Sequence, residues 1–258
     1  MVILQIDNQI VKIDAGELVS YQVSGHEFIH QKGSPGWRNS DTEMFPIIGP
    51  TNEAEFKVTT PRGEAVQDQH GLLREMDYEL ITQEETSALF QKKYTAKSKI
   101  VNSKFPKKST AEQLFWPYDF RFRKMYELKE NGLQITFEVE GEEGMPFMLG
   151  YHPAFKVRTE AATIRTESKS VTIPEVMAVG SRAMEIKNCQ KILLDDEKTL
   201  EITTEGFQSF MLWTEVANMV CIEPITFYPY AVTQDNLHRG FQELTEKKSV
   251  FKVQLSPK

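Results

Sequence analysis

Two side chains in this sequence are suited to proton transfer, and each is followed by proline. His152 stands in Gly150-Tyr151-His152-Pro153-Ala154-Phe155, directly after the apolar run Met145-Pro146-Phe147-Met148-Leu149. Proline disfavours helical geometry in the residue before it, so His152 is expected at the end of a strand, where the chain turns. An imidazole on such a rigid element can pass protons near neutral pH. Glu223 stands in Met219-Val220-Cys221-Ile222-Glu223-Pro224, again closing an apolar strand. With reference values of about 4.3 for glutamate and 6.5 for histidine, Glu223 is expected to start ionised and accept a proton while His152 donates one. Each has a plainer reading alone, His152 closing a hydrogen bond at a strand end and Glu223 in an ion pair. Cys221 shares a side of the strand with Glu223 and reads as a buried, inert thiol.

A third pattern is an accident. His26-Glu27-Phe28-Ile29-His30 satisfies the string H-E-x-x-H, but that chemistry needs a helix to aim both imidazoles at one metal. Gly25 before it and Gly33-Ser34-Pro35-Gly36 after it leave room for about two helical turns at most. On a strand, His26 and His30 would lie roughly 13 Å apart. No metal site is expected here.

The elements that must hold these residues read as short strands. Residues 1–30 alternate with a period of two, with turns at Asn8-Gln9 and Ser24-Gly25. Residues 33–40 form a loop carrying Trp37 and Arg38. Met44 to Pro50 is apolar but holds two prolines, so it is an irregular or edge piece. A polar hairpin region follows, then His70-Gly71-Leu72-Leu73-Arg74, then strand-like runs at 78–82, 87–94 and 97–101. Lys104 to Ser109 is a basic loop whose simplest reading is a solvated turn. Asn131-Gly132, between two alternating segments, marks a hairpin, because a type I′ turn needs positive φ at both central residues. Arg121 and Arg123 share one face of its first strand and read as solvated. Further strands are expected at 162–165, 170–173, 191–194, 199–203, 208–213, 219–223 and 249–255, with a helical turn only near 236–240. The pattern predicts an all-β, single-domain antiparallel sandwich over residues 1–258.

Composition narrows the function classes. The 258 residues are 40% hydrophobic and 26% charged, as in soluble globular proteins. A net charge of −7 argues against nucleic acid or an anionic membrane as partner. No apolar run approaches the ~20 residues that cross a bilayer, and the N-terminus does not read as a signal peptide. Two cysteines, Cys189 and Cys221, are expected to be a reduced pair in a cytoplasmic protein.

The strings Phe45-Pro46-Ile47-Ile48-Gly49, His70-Gly71-x-x-Arg74, Gly150-Tyr151-His152-Pro153-Ala154-Phe155, Leu212-Trp213-Thr214 and Cys221-Ile222-Glu223-Pro224 together resemble the aldose 1-epimerase (galactose mutarotase-like) family. The likeness is closest to its shorter branch, which includes hexose-6-phosphate epimerase-like proteins, and it runs in order from about residue 5 to 255. The segment from His26 to Trp37 also fits that branch. The resemblance implies a β-supersandwich with a sugar cleft on its concave face, Glu223 as general base and His152 as general acid. It implies His70 and Arg74 as substrate-binding residues, and Arg38 in the 33–40 loop is a further candidate beside them. Interconversion of anomers then needs neither cofactor nor metal. Trp37, Trp213, Phe155 and Phe227 are candidate apolar walls for the sugar. Pro50 and Ile225-Thr226 depart from the family pattern, and the aspartate that grips sugar hydroxyls in the longer branch has no counterpart. The implied partner is a free sugar or a sugar phosphate. The phosphosugar alternative would need at least two cations at the cleft, for which Arg38 and Arg74 are the candidates. A non-catalytic sugar-binding protein on the same scaffold is the other alternative; the oligomeric state is left open.

Overall fold

A computed structural model describes residues 1–258. Its largest sheet has nine antiparallel strands, in the spatial order Ser170–Thr172, Thr163–Arg165, Lys191–Asp195, Thr199–Glu205, Lys248–Pro257, Gly132–Gly141, Phe120–Lys129, Ser87–Tyr94 and Glu79–Gln83. A second sheet runs Met184–Ile186, Ser209–Trp213, Met219–Ile225, Gly150–Tyr151 and Glu43–Met44, and Ala154–Lys156 also pairs with Met219–Ile225. Four N-terminal strands, Val2–Ile6, Gln9–Asp14, Glu17–Val23 and His26–Glu27, form a meander. One continuous core of 60 buried residues joins these layers. No helix is long and apolar enough to cross a membrane.

The all-β expectation agrees with this architecture, and the differences have local causes. The first turn is Asp7-Asn8, one residue earlier than expected. The hairpin at 131–132 closes through Glu130-Asn131, because Lys129 pairs with Gly132. Gly132 is still required: a Cβ there would lie 2.1 Å from the Leu255 carbonyl oxygen of the neighbouring strand. Arg121 and Arg123 pair with Glu140 and Glu138 on the solvated face, as expected. One helix, Ile173–Val179, lies where no helix is expected from the sequence; Thr172 and Glu175 form a capping box around it, with proline in its first turn. Periodicity over seven residues is too short to announce a helix, but Thr-x-x-Glu was a legible signal.

The strand Phe120–Lys129 alternates buried and half-buried residues, and its inward face reads Phe120, Phe122, Lys124, Tyr126, Leu128. Lys124 interrupts that apolar row and is fully buried. Its ammonium lies 2.7 Å from Asp41 and 2.6 Å from Glu43, both also buried. Asp41 further accepts hydrogen bonds from Tyr151 at 2.8 Å and Tyr126 at 3.3 Å. Burial alone would push the Lys124 ammonium down, but the two carboxylates outweigh it and raise its pKa. Asp41 itself is pushed up to about 6 by burial, against the pull of Lys124. Removing one partner from such a group leaves buried charge without compensation. Lys124→Met is therefore expected to lower unfolding stability by about 3–5 kcal/mol, measured by urea denaturation, whereas Lys93→Met on an exposed position changes it by less than about 0.5 kcal/mol.

Candidate active site

The register of one strand pair brings the two proline-flanked residues together. Gly150 pairs with Ile225 and Ala154 with Cys221, so the intervening His152 stands across from Glu223. Contrary to the expectation from the sequence, the chain does not turn at His152; it passes through a two-residue break, His152-Pro153, and resumes along the same neighbour. Nor does Glu223 close its strand, which runs on through Pro224 to Ile225. Pro224 is tolerated in this interior strand because of backbone parity. Ile225 accepts from Gln208 on one side, and Thr226 donates to Leu149 on the other. The N–H that Pro224 lacks would thus point toward the break. On its far side His152 is held by the backbone of Thr42, donating at 2.8 Å and accepting at 3.2 Å. Thr42 lies between Asp41 and Glu43, so the buried ion cluster anchors the segment that grips His152.

His152 Nε2 and Glu223 Oε1 are 3.4 Å apart at the wall of a cavity of about 660 Å³. That volume suits a small polar ligand. The Trp37 ring stacks on His152 at 4.3 Å, His70 meets it edge-on at 5.5 Å, and Trp213 at 6.1 Å. Trp37 is positioned by its backbone: its carbonyl accepts from His30 Nε2 at 2.9 Å and its N–H donates to Met219 Sδ. His30 therefore serves the loop, and Glu27 is consumed by Ser20, Tyr21 and Ile29, which disposes of H-E-x-x-H as a metal motif. Both His26 and Glu27 are in a strand.

His70 and Gly71 both adopt left-handed backbone, at φ 72° and 78°. Only glycine fits at 71, since a Cβ would lie 2.2 Å from the Phe45 carbonyl oxygen. This tight turn puts His70 and the short helical turn Leu73–Glu75, which carries Arg74, on the cavity wall. Arg38 reaches the rim from the 33–40 loop and is exposed. All five expected site residues thus line one cavity. Of the candidate apolar walls, Trp37 and Trp213 line it; Phe155 is core, and Phe227 packs on Gly240 instead.

The basic loop read as a solvated turn is the main correction. Lys104 and Lys108 both line the cavity. Lys104 is held 2.7 Å from Asp68, which also accepts from Asn102 at 2.7 Å and sits two residues before His70. Sequence alone gave no partner for this loop, because Asp68 is far away along the chain. Tyr230 and Glu215 were also missed; Tyr230 donates to the Ser181 carbonyl at 3.1 Å, tying the segment after the helix to the rim. Pro50 and Ile225 do not line the cavity, so these departures from the pattern lie outside its walls.

The electrostatics reverse the expected resting protonation. Burial lifts the Glu223 carboxyl well above the usual carboxylate range, and its one polar contact is His152. Burial, with Arg74 nearby, pushes His152 down to about 3. His70 is likewise held well below the usual imidazole range by burial and by His152 and Arg74. Burial therefore favours the neutral form of both groups, a protonated carboxyl beside an unprotonated imidazole. Reference values for solvated side chains do not survive burial.

The family profile described as aldose 1-epimerase matches residues 16–194 of this chain. No curated protein matches it significantly. A galactose mutarotase-like protein from Lactobacillus casei superposes with a TM-score of 0.80 at 16% identity, covering 100% of both chains. A galactose mutarotase related enzyme from Lactobacillus acidophilus gives 0.76 at 20% identity, over 98% of this chain and 96% of that one. A galactose mutarotase-like protein from Clostridium acetobutylicum gives 0.69 at 13% identity, over 97% and 93%. At these identities the structural likeness establishes the fold.

Proposed function

We propose, from the premise that this chain belongs to the aldose 1-epimerase family, that it interconverts the α and β anomers of an aldohexose. The observation that carries this reading is the 3.4 Å approach of His152 and Glu223 on the wall of a sugar-sized cavity. Anomer exchange moves protons at two oxygens bonded to the same carbon, the C1 hydroxyl and the ring oxygen. Two neighbouring seats holding one proton between them match that demand.

Ring opening uses the pair with its proton on the imidazole: Glu223 takes the O1 proton as His152 donates to the ring oxygen. The C1–O5 bond breaks, C1 becomes an aldehyde, and the pair is left with a protonated carboxyl and a neutral imidazole. Burial favours this neutral form of the pair. After rotation about C1–C2, closure runs the transfers backwards. His152 takes the proton from the C5 hydroxyl, that oxygen attacks the other face of C1, and Glu223 returns its proton to O1. An entering ring is opened once the proton crosses the short gap from Glu223 to His152. His70 and Arg74 orient the hydroxyls, while Trp37 and Trp213 offer faces to the sugar's C–H groups.

A phosphorylated hexose is the second reading, and Lys104 and Lys108 favour it. With Arg38 and Arg74 they place four cations around the cavity against the carboxyls of Glu215 and Glu223. A dianionic phosphate would gain from that balance, and a free sugar would not.

Polarimetry on freshly dissolved α-glucose and on glucose 6-phosphate checks both readings. Glu223→Gln is expected to lose about 10²–10⁴ in kcat/KM; a variant as fast as wild type overturns the assignment. As pH falls, activity is lost only when His152 gains a second proton for the pair, leaving no base. With His152 pushed down to about 3, the acid limb of kcat/KM is expected below about pH 5, not near the 6.5 of an ordinary imidazole. Replacing Lys104 and Lys108 by alanine is expected to raise KM for the phosphosugar at least about fivefold and leave that for glucose unchanged. Equal effects on both would remove the phosphosugar reading.

A further inference from the structure

Cys221 takes no part in anomer exchange, yet it belongs to the same cluster. It lies two residues before Glu223 on an extended strand and so presents its side chain on the same face. Its cross-strand partner is Ala154, whose small side chain leaves the sulfur beside the pair. The Cys221 thiol, a His152 ring nitrogen and a Glu223 carboxylate oxygen all lie within 4.8 Å of one another. The 3.4 Å between His152 Nε2 and Glu223 Oε1 is close to the edge of a tetrahedron with metal–ligand bonds of about 2.0–2.1 Å. A metal–sulfur bond of about 2.3 Å would complete the third vertex once the sulfur closes on the other two atoms from within 4.8 Å. His152 and Glu223 face the cavity, which leaves a fourth position for water.

We infer that His152, Cys221 and Glu223 form a site for a borderline-soft divalent cation such as Zn²⁺, and that its occupation shuts the enzyme off. The ligand set decides the metal class. Coordination releases the Cys221 thiol proton and the proton on Glu223 to solvent, and the resulting thiolate with an imidazole and one carboxylate selects Zn²⁺, Co²⁺ or Cd²⁺ over Mg²⁺ and Ca²⁺, which need more oxygen ligands. The ion would sit where the sugar's O1 and ring oxygen exchange protons, so metal and sugar exclude each other. His152 Nδ1 has no hydrogen-bond partner, so the imidazole lacks the outer support that resident metal sites provide. Binding is therefore reversible and inhibitory, and not that of a permanent cofactor. Cys189, the other thiol, is half-buried and bonded to the Lys191 carbonyl, and it supplies an internal control.

The inhibitory part rests on the epimerase reading, but metal binding does not, and the test separates them. Co²⁺ is added to the full-length protein and the near-ultraviolet sulfur-to-cobalt charge-transfer band is followed. Wild type and Cys189→Ser are expected to show the band with saturation at micromolar Co²⁺, with Zn²⁺ abolishing it. Cys221→Ser and Cys221→Ala, checked for wild-type melting behaviour, are expected to lose it. In the anomer-exchange assay, micromolar Zn²⁺ is expected to slow wild type at least tenfold, chelation to restore it, and millimolar Mg²⁺ to do nothing. Absence of a band in wild type, its persistence in folded Cys221 variants, or its loss in Cys189→Ser overturns the site. A normal band with no enzymatic activity leaves the site standing and counts against the epimerase reading alone.

Discussion

A buried ammonium between two buried carboxylates holds this structure together where it matters. Lys124 projects from the middle of the large sheet, and Asp41 and Glu43 come from the segment that borders the smaller one. Replacing such a triad with apolar groups would cost little in principle, since desolvating three charges offsets much of their attraction. What the triad supplies is placement. Asp41 and Glu43 point at Lys124, so Thr42 between them is turned the other way and its backbone pairs with His152. Tyr151, one residue before His152, donates to Asp41 as well. The position of the imidazole is therefore decided by charges that never enter the cavity.

Across from it, Glu223 owes its position to strand register alone. His152 and Glu223 are 71 residues apart along the chain, yet the pairings on either side make them direct neighbours. Both prolines serve this arrangement by removing N–H groups at the one place where the two strands part. The pair thereby gains access to the cavity without leaving unsatisfied backbone donors buried beside it.

Burial then sets the chemistry. The imidazole is packed against two tryptophan rings and the carboxyl beside it is buried, so burial disfavours the charged form of each. The cations at the cavity rim contribute differently. Arg74 acts on the pair directly, through its effect on His152, whereas Lys104 is bound to Asp68 and Lys108 is exposed. The same cavity thus has a buried acid–base pair in its wall and cations around it.

Much of this was legible in the sequence. Period-two alternation announced the strands, since one buried face demands it, and the two proline-flanked residues were visible as candidates because proline restricts its predecessor wherever it occurs. Resemblance to a family pointed to His70 and Arg74 at one cleft, Arg38 was a further candidate, and all three line the cavity. Lys124 could not be found that way: a lone lysine in an alternating strand looks solvated until its partners, more than 80 residues earlier, are folded against it. Lys104 was hidden by the same distance from Asp68. The direction in which burial shifts the pair was hidden too, because a pKa depends on burial and neighbouring charge, and both exist only once the sheets have closed. Local pattern determined which residues could act; long-range pairing decided which of them meet, and in what state of charge.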